Sequence, residues 1–223
     1  MITASDPVAS TGGAHRGGLP RRGPDERIAH IVARSLGPAQ TVLDSDSLPH
    51  HGPARLPFDN DEFDAAMTLC TVPYLPDVYA RLRELRRVTR GPVVILTNDP
   101  SRMHGFWLDR YAPRVLAVEA RRHPTVQELT ATLGATCTVR RVPIPLDCTD
   151  TFNEAYYGRP EMLLDPAARR AGAAWSFVDD QVREDFDTAL RRELRSGEWD
   201  ERFGHLRHQP TYEGSLVIVR AVP

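Results

Sequence analysis

From Arg27 onward the apolar positions of this chain follow two spacings in turn. Ile28, Ile31, Val32 and Leu36 fall on one face of a helix that opens in the acids Asp25 and Glu26 and is stopped by Gly37-Pro38. Thr41-Val42-Leu43-Asp44 then reads as a short strand, and Phe63 to Cys70 as a buried one. Pro76-Asp77 opens a second helix over Val78–Thr89, with Leu82, Leu85 and Val88 inward and arginines outward. Gly91 to Thr97 is almost continuously apolar, as a central parallel strand is. Strand, helix, strand, helix is the alternation of an α/β protein.

The second half is less regular. Asp99 to Tyr111 is an aromatic-bearing segment without a clear period. A helix over Thr125–Leu133 ends at Gly134, and Thr136–Pro145 reads as an edge strand. Residues 147–210 read as mostly helical, over Thr149–Tyr157, Pro166–Phe177 and Asp179–Ser196. Leu216 to Arg220 is an apolar strand suited to pair antiparallel with the strand at 136–143. Residues 1–24 are rich in Ser, Thr, Gly, Pro and Arg and read as a disordered arm, which leaves 25–223 as a single domain.

Composition removes several classes of function. A net charge of -2 over 223 residues gives no reason to expect nucleic acid or an anionic membrane as partner. No run reaches the roughly 18 to 20 apolar residues of a membrane span, and none opens the chain as a signal peptide, so a cytoplasmic protein is expected. All 28 basic residues are arginine, so no lysine is there to form a Schiff base or act as a base. Cys70, Cys137 and Cys148 are scattered and fit reduced thiols, and His50-His51 fits a solvated loop, so no metal site is expected.

Four pieces together carry a family resemblance: Leu56-Pro57-Phe58 with Phe63-Asp64-Ala65, Tyr74-Leu75-Pro76-Asp77, Leu85-Arg86-Arg87-Val88, and Gly91 to Leu96. In this order and spacing the chain resembles the class I S-adenosylmethionine-dependent methyltransferases, especially the actinobacterial small-molecule type, over roughly residues 25–220. The resemblance implies a Rossmann-like methyltransferase fold. It also implies a glycine-rich turn after the first strand and an acid for the cofactor ribose, by the physics of dinucleotide sites.

That turn is missing. Asp44 stands where it should begin, and Ser45-Asp46-Ser47 replaces the glycines. A helix and two strands have no counterpart, a loss on the order of forty residues judged against a βαβ unit. The fold expected is therefore a truncated one, a mixed, mostly parallel sheet of about five strands with flanking helices and the 41–44 strand at an exposed edge. That edge offers a surface for a homodimer. Asp44 and Asp46 are the candidates for a ribose if S-adenosylmethionine binds, and without the cradle no cofactor is expected.

The remaining candidates cluster in sequence. In the related enzymes a segment like Asp147 to Pro160 covers the acceptor side of the pocket. Here it supplies Asp147, Asp150 and Tyr157 as acids or bases, and Cys148, Tyr156 and Arg159 as substrate contacts. The same segment also reads as a capped helix with Glu154 near its N-terminus, in which Tyr156 and Tyr157 cannot both face one core. Asp99 follows a central strand at the end where open α/β sheets bind ligands, and Cys70-Thr71 ends another. His104 adds a catalytic candidate, and Trp107 and Tyr111 suit either a lid or a core cluster. Three functions follow. The first is an enzyme of specialised metabolism that performs acid/base chemistry (cyclisation, isomerisation or dehydration) on a small organic molecule in the old acceptor pocket. The second is a methyltransferase with an atypical cofactor site, and the third an inactive partner subunit.

Overall fold

The structure, a computed structural model, describes residues 25–49, 55–134, 136–170 and 172–223. The arm at 1–24 and His50-His51 lie outside the described residues. Helix α1 (Glu26–Leu36) is capped by Asp25, whose carboxylate accepts the Arg27 N–H at 3.0 Å, and ends at Gly37 with φ 73°. Strands β1 (Val42–Asp44) and β2 (Ala65–Leu69) follow. Helix α2 (Val78–Arg87) is capped by Asp77 through the Ala80 N–H and leads to β3 (Val93–Asn98). Helix α3 (Pro113–Arg122) starts with proline in its first turn. Helix α4 (Val126–Leu133) has a reciprocal Thr125–Glu128 capping box and a left-handed Gly134 at its end. Then come β4 (Thr136–Arg141), β5 (Ile144–Pro145), the helices α5 (Pro166–Arg170), α6 (Asp180–Ser196) and α7 (Glu198–Phe203), and the strands β6 (Thr211–Tyr212) and β7 (Leu216–Val222).

The main sheet has five strands in the order β1-β2-β3-β7-β4. The first three are parallel, and β7 runs antiparallel to both its neighbours. The expected edge position of the first strand holds, and β7 pairs with β4 as the sequence predicted. Strands β5 and β6 form a separate two-stranded ribbon.

Alternate residues of β3 face opposite sides. Val93 and Ile95 pack with Leu82 and Leu85 of α2 and Leu129 and Leu133 of α4. Val94 and Leu96 pack with Ile28 and Val32 of α1, with Val115 and Leu116 of α3, and with the aromatic C-terminal layer. Helices therefore cover both faces of the sheet, and the parallel strands β1, β2 and β3 release their carboxyl ends along one rim.

Four expectations need correction. Thr149–Tyr157 is not a helix but an irregular strap ending in a 3₁₀ turn over Asn153–Tyr156. The Thr149 N–H donates to Asp25 Oδ2 at 3.1 Å. In that turn Tyr156 and Tyr157 are both buried in one cluster, against the expectation that they could not share a core. In place of the helix expected over Pro166–Phe177 stand α5, to Arg170, and a 3₁₀ turn, Ala173–Phe177, with Arg169 turned inward to Asp187 and to the Leu163 carbonyl. The strand expected to 145 stops at Arg141, since Pro143 has no N–H to continue the ladder. Helix α3 and helix α7 had no counterpart in the sequence reading.

Candidate functional site

The site is built where the chain leaves β1, β2 and β3. After β1 it turns at once into a 3₁₀ turn, Ser45–Ser47, capped by Asp44 through the Asp46 N–H at 2.9 Å. The Asp46 carboxylate is inserted at the end of β2. Its Oδ2 accepts the Leu69 N–H at 2.9 Å, and its Oδ1 accepts the hydroxyls of Thr68 (3.0 Å) and Thr71. Both acids proposed for a ribose are thus engaged inside the protein. Directly after β1, where the resemblance implies glycines, stands Ser45-Asp46-Ser47.

Cys70 closes β2 in a left-handed conformation, φ 58°, with its N–H on the Leu96 carbonyl. Cys70 is exposed, while protein around its sulfur, and then the charges of Asp150 and Asp46, push its thiol up to about 12. Asp150 faces the same opening, and burial raises its carboxyl. The strap from Cys148 onward forms the adjoining wall. There Arg159 lies over the Tyr156 ring at 5.5 Å and donates to the carbonyls of Cys148 and Ala155. Burial pushes the Cys148 thiol up to about 11.

Beside the end of β3 lies a small cavity of about 10 Å³, room for roughly one water. Asn98, Glu119, Asn153, Glu154 and Ser215 are its polar lining, and the Asn98 Oδ1 is buried without a protein partner. Met103, Leu116 and Phe152 supply apolar walls. Glu154 is 6% exposed, and its two oxygens accept the Ser215 N–H (3.0 and 2.9 Å) and the Ser215 hydroxyl (2.9 Å). Burial, reinforced by the charge of Glu119, pushes Glu154 up to about 7 despite those bonds. Glu119, on α3, is also raised by burial and accepts Asn153 Nδ2 at 2.7 Å. One turn on, His123 holds Thr97 Oγ1 at 3.2 Å, and burial and Arg122 push it down to about 4, so it is neutral at physiological pH. At the rim the Arg122 guanidinium lies between the exposed rings of Tyr74 and Phe177, 4.9 Å from each.

Other sequence candidates lie elsewhere. Asp99 caps the 3₁₀ turn that begins at Pro100, accepting the Ser101 N–H and hydroxyl. His104 pairs with Asp109 at the surface, Nδ1 to Oδ1 2.6 Å. Asp147 is exposed and paired with Arg27 at 2.6 Å. Trp107 is in the core, its indole N–H on the Tyr157 carbonyl, and the Tyr111 hydroxyl donates to buried Glu193. Tyr157 is fully buried, with its hydroxyl on the Gln209 carbonyl. The structure thus brings Cys70, Cys148, Asp150, Tyr156 and Arg159 close to one another, with Thr71 on Asp46 beside them. It also adds Glu119, His123 and Asn153, which the sequence reading missed, and Glu154, which it read as helix decoration.

No family model matches this sequence, and no curated protein matches it. Among solved structures, a protein of Anabaena variabilis ATCC 29413, provisionally named a methyltransferase from an antibiotic biosynthesis pathway, superposes with a TM-score of 0.77. It is 19% identical, over 89% of this chain and 97% of that one. Weaker likenesses include the YcgJ protein from Bacillus subtilis (15% identity, 77% and 68% of the two chains, TM-score 0.38) and the [4+2]-cyclase SpnF (15%, 78% and 54%, TM-score 0.36), which add nothing to the argument. The chain has the class I methyltransferase fold in a shortened, five-stranded form. At this level of identity the likeness speaks for fold alone.

Proposed function

We propose that this protein is an enzyme of small-molecule metabolism that works by acid/base chemistry in the crevice at the ends of β2 and β3, without S-adenosylmethionine. The observation that carries the reading is Asp46, whose carboxylate fills the end of β2 from a turn, Ser45–Ser47, that follows the first strand directly. Burial raises the carboxyls of Asp150, near the end of β2, and of Glu154, beside β3, which favours their holding protons for transfer.

The second reading, methyl transfer through a rebuilt cradle, is favoured by one observation. The Anabaena chain, itself provisionally named a methyltransferase, superposes along 97% of its length and so has the same short plan. Calorimetric titration with S-adenosylmethionine and S-adenosylhomocysteine decides between the two. We expect no heat and no thermal shift at millimolar ligand. Micromolar binding overturns the cofactor-free reading.

A further inference from the structure

At the carboxyl rim of the sheet three segments meet on one side chain. Arg122 closes α3, Tyr74 ends the 3₁₀ turn Val72–Tyr74 that follows β2, and Phe177 ends the one that precedes α6. The Arg122 guanidinium carbon lies 4.9 Å from the centre of each ring. Ring faces hold a guanidinium by its charge and offer no acceptor, so its five N–H donors are left over. Among the described residues none accepts a hydrogen bond from Arg122, and none forms an ion pair with it. The acids close by are committed elsewhere. Asp179, just beyond Phe177, pairs with Arg114 at 3.5 Å, and Glu119, one turn back on α3, accepts Asn153 Nδ2 at 2.7 Å. The guanidinium is not sealed in either, since its nitrogens are not among the buried atoms without a partner. They open to solvent beside two rings that are 47% and 63% exposed. The neighbouring His123 is bonded to Thr97 Oγ1 at 3.2 Å, and the Leu96 carbonyl accepts the Cys70 N–H at 2.8 Å where β2 stops, which sets Arg122 at the mouth of the crevice.

We propose that Arg122, flanked by Tyr74 and Phe177, is the binding site for a carboxylate of the substrate, which is an organic acid with an apolar or aromatic body. A planar guanidinium presents parallel N–H donors that match the two oxygens of a carboxylate. An ion pair in open water contributes little, chiefly because two mobile groups must be ordered to make it. Here the rings have already ordered the guanidinium, and their exposed surfaces meet the body of the acid and keep water from the pair. One positive charge matches one carboxylate. A phosphate dianion would call for a second cation, and Arg121 does not supply it, because adjacent residues of a helix do not face each other. The site deepens the reading proposed above: it names the substrate class of the same crevice and rests on that reading for the chemistry that follows binding.

Binding is tested without turnover, by nitrogen NMR of the arginine side chains and backbone amides in the full chain, titrated with benzoate. Benzoate should move the Arg122 Nε–H and the Phe177 amide along one saturable curve. Benzamide, of the same shape without the charge, should bind about tenfold more weakly or less still. Arg122→Lys keeps the charge and loses the fork, and read at the Phe177 amide it should weaken benzoate binding by about tenfold. Tyr74→Ala, which frees one side of the guanidinium, should weaken it by about threefold. Comparable binding of benzamide, an equal shift of Arg121 with Arg122, full affinity in Arg122→Lys, or tighter binding of inorganic phosphate than of benzoate overturns the carboxylate site. Binding of S-adenosylmethionine in the calorimeter overturns the cofactor-free reading alone, and the benzoate curves stand or fall without it.

Discussion

Glu154 is a carboxyl group with no ion-pair partner among the described residues, held by Ser215 and the Leu216 backbone. Its proton affinity is raised by folding, from 4.5 to about 7. Between those values the folded chain holds a proton that the unfolded chain has lost, so on account of this group stability is greatest below pH 4.5 and falls as pH rises to 7. The difference is about 3 kcal/mol at 1.36 kcal/mol per pH unit. Glu154→Gln keeps an acceptor for Ser215 and has nothing to ionise. Denaturant unfolding should therefore show the variant gaining on the parent by up to about 3 kcal/mol between pH 5 and pH 8. Equal pH dependence in both would rule this out. Asp46 is held by more donors, one backbone N–H and two hydroxyls. Asp46→Ala removes the acceptor of the Leu69 N–H and of two hydroxyls, and should cost about 1–3 kcal/mol in the same assay. The position of Asp46 was legible in the sequence. Its partners were not, because they lie 22 to 25 residues further on and only the parallel pairing of β1 with β2 brings them there.

Elements with a clean period were legible, and those that depend on distant partners were not. The α1, α2 and α4 helices carry their own caps in Asp25, Asp77 and Thr125, and β3 is apolar on both faces, so local sequence suffices. Helix α3 has proline in its first turn and only Val115 and Leu116 fully buried, so its apolar stripe is too narrow to stand out. That omission hid Glu119 and His123, which it presents to the site. The strap from Thr149 to Tyr157 read as a helix because its caps look helical, whereas Asp25 and Ser215, from either end of the chain, take its polar groups. Where β2 and β3 begin, Gly91 lets the backbone of one element rest on the other. A Cβ there would come within 2.2 Å of the Asp64 carbonyl oxygen, which is backbone and cannot swing aside. Gly91→Ala should part the two strands at their start and destabilise the domain by about 1–3 kcal/mol or more, read as a lower thermal midpoint. Gly105→Ala, at a glycine with nothing within 4 Å, is the control and should leave the midpoint nearly unchanged.

Across the whole molecule the shortened sheet shifts the task of closing the crevice to the chain's two ends. A full methyltransferase sheet extends beyond the first strand, whereas here β1 is the edge. The strap over the rim is fastened by Asp25, at the start of α1, and by Ser215, just before β7. Asp25 is 2% exposed and caps α1, pairs with Arg27, and accepts the Thr149 N–H, so one carboxylate ties the first helix to the strap 124 residues away. The Arg27 guanidinium, above all, and the Thr149 and Arg27 N–H groups hold its carboxyl well below the usual range. A carboxyl lowered by folding adds stability that is fully present above its unfolded value, near 3.8, and is lost as pH falls below it. The strap should therefore loosen in acid before the sheet does. Hydrogen exchange can separate the two, because the Thr149 amide reports the clamp while Ile95 and Leu96 report the centre of the sheet. In Asp25→Ala we expect the Thr149 amide to lose most of its protection at neutral pH. The helix cap is lost with it, at about 1–2 kcal/mol of global stability. Protection at Ile95 and Leu96 should fall only by that global amount. If Thr149 and Ile95 lose protection equally, the strap is not a separate unit, and opening the crevice requires unfolding the domain.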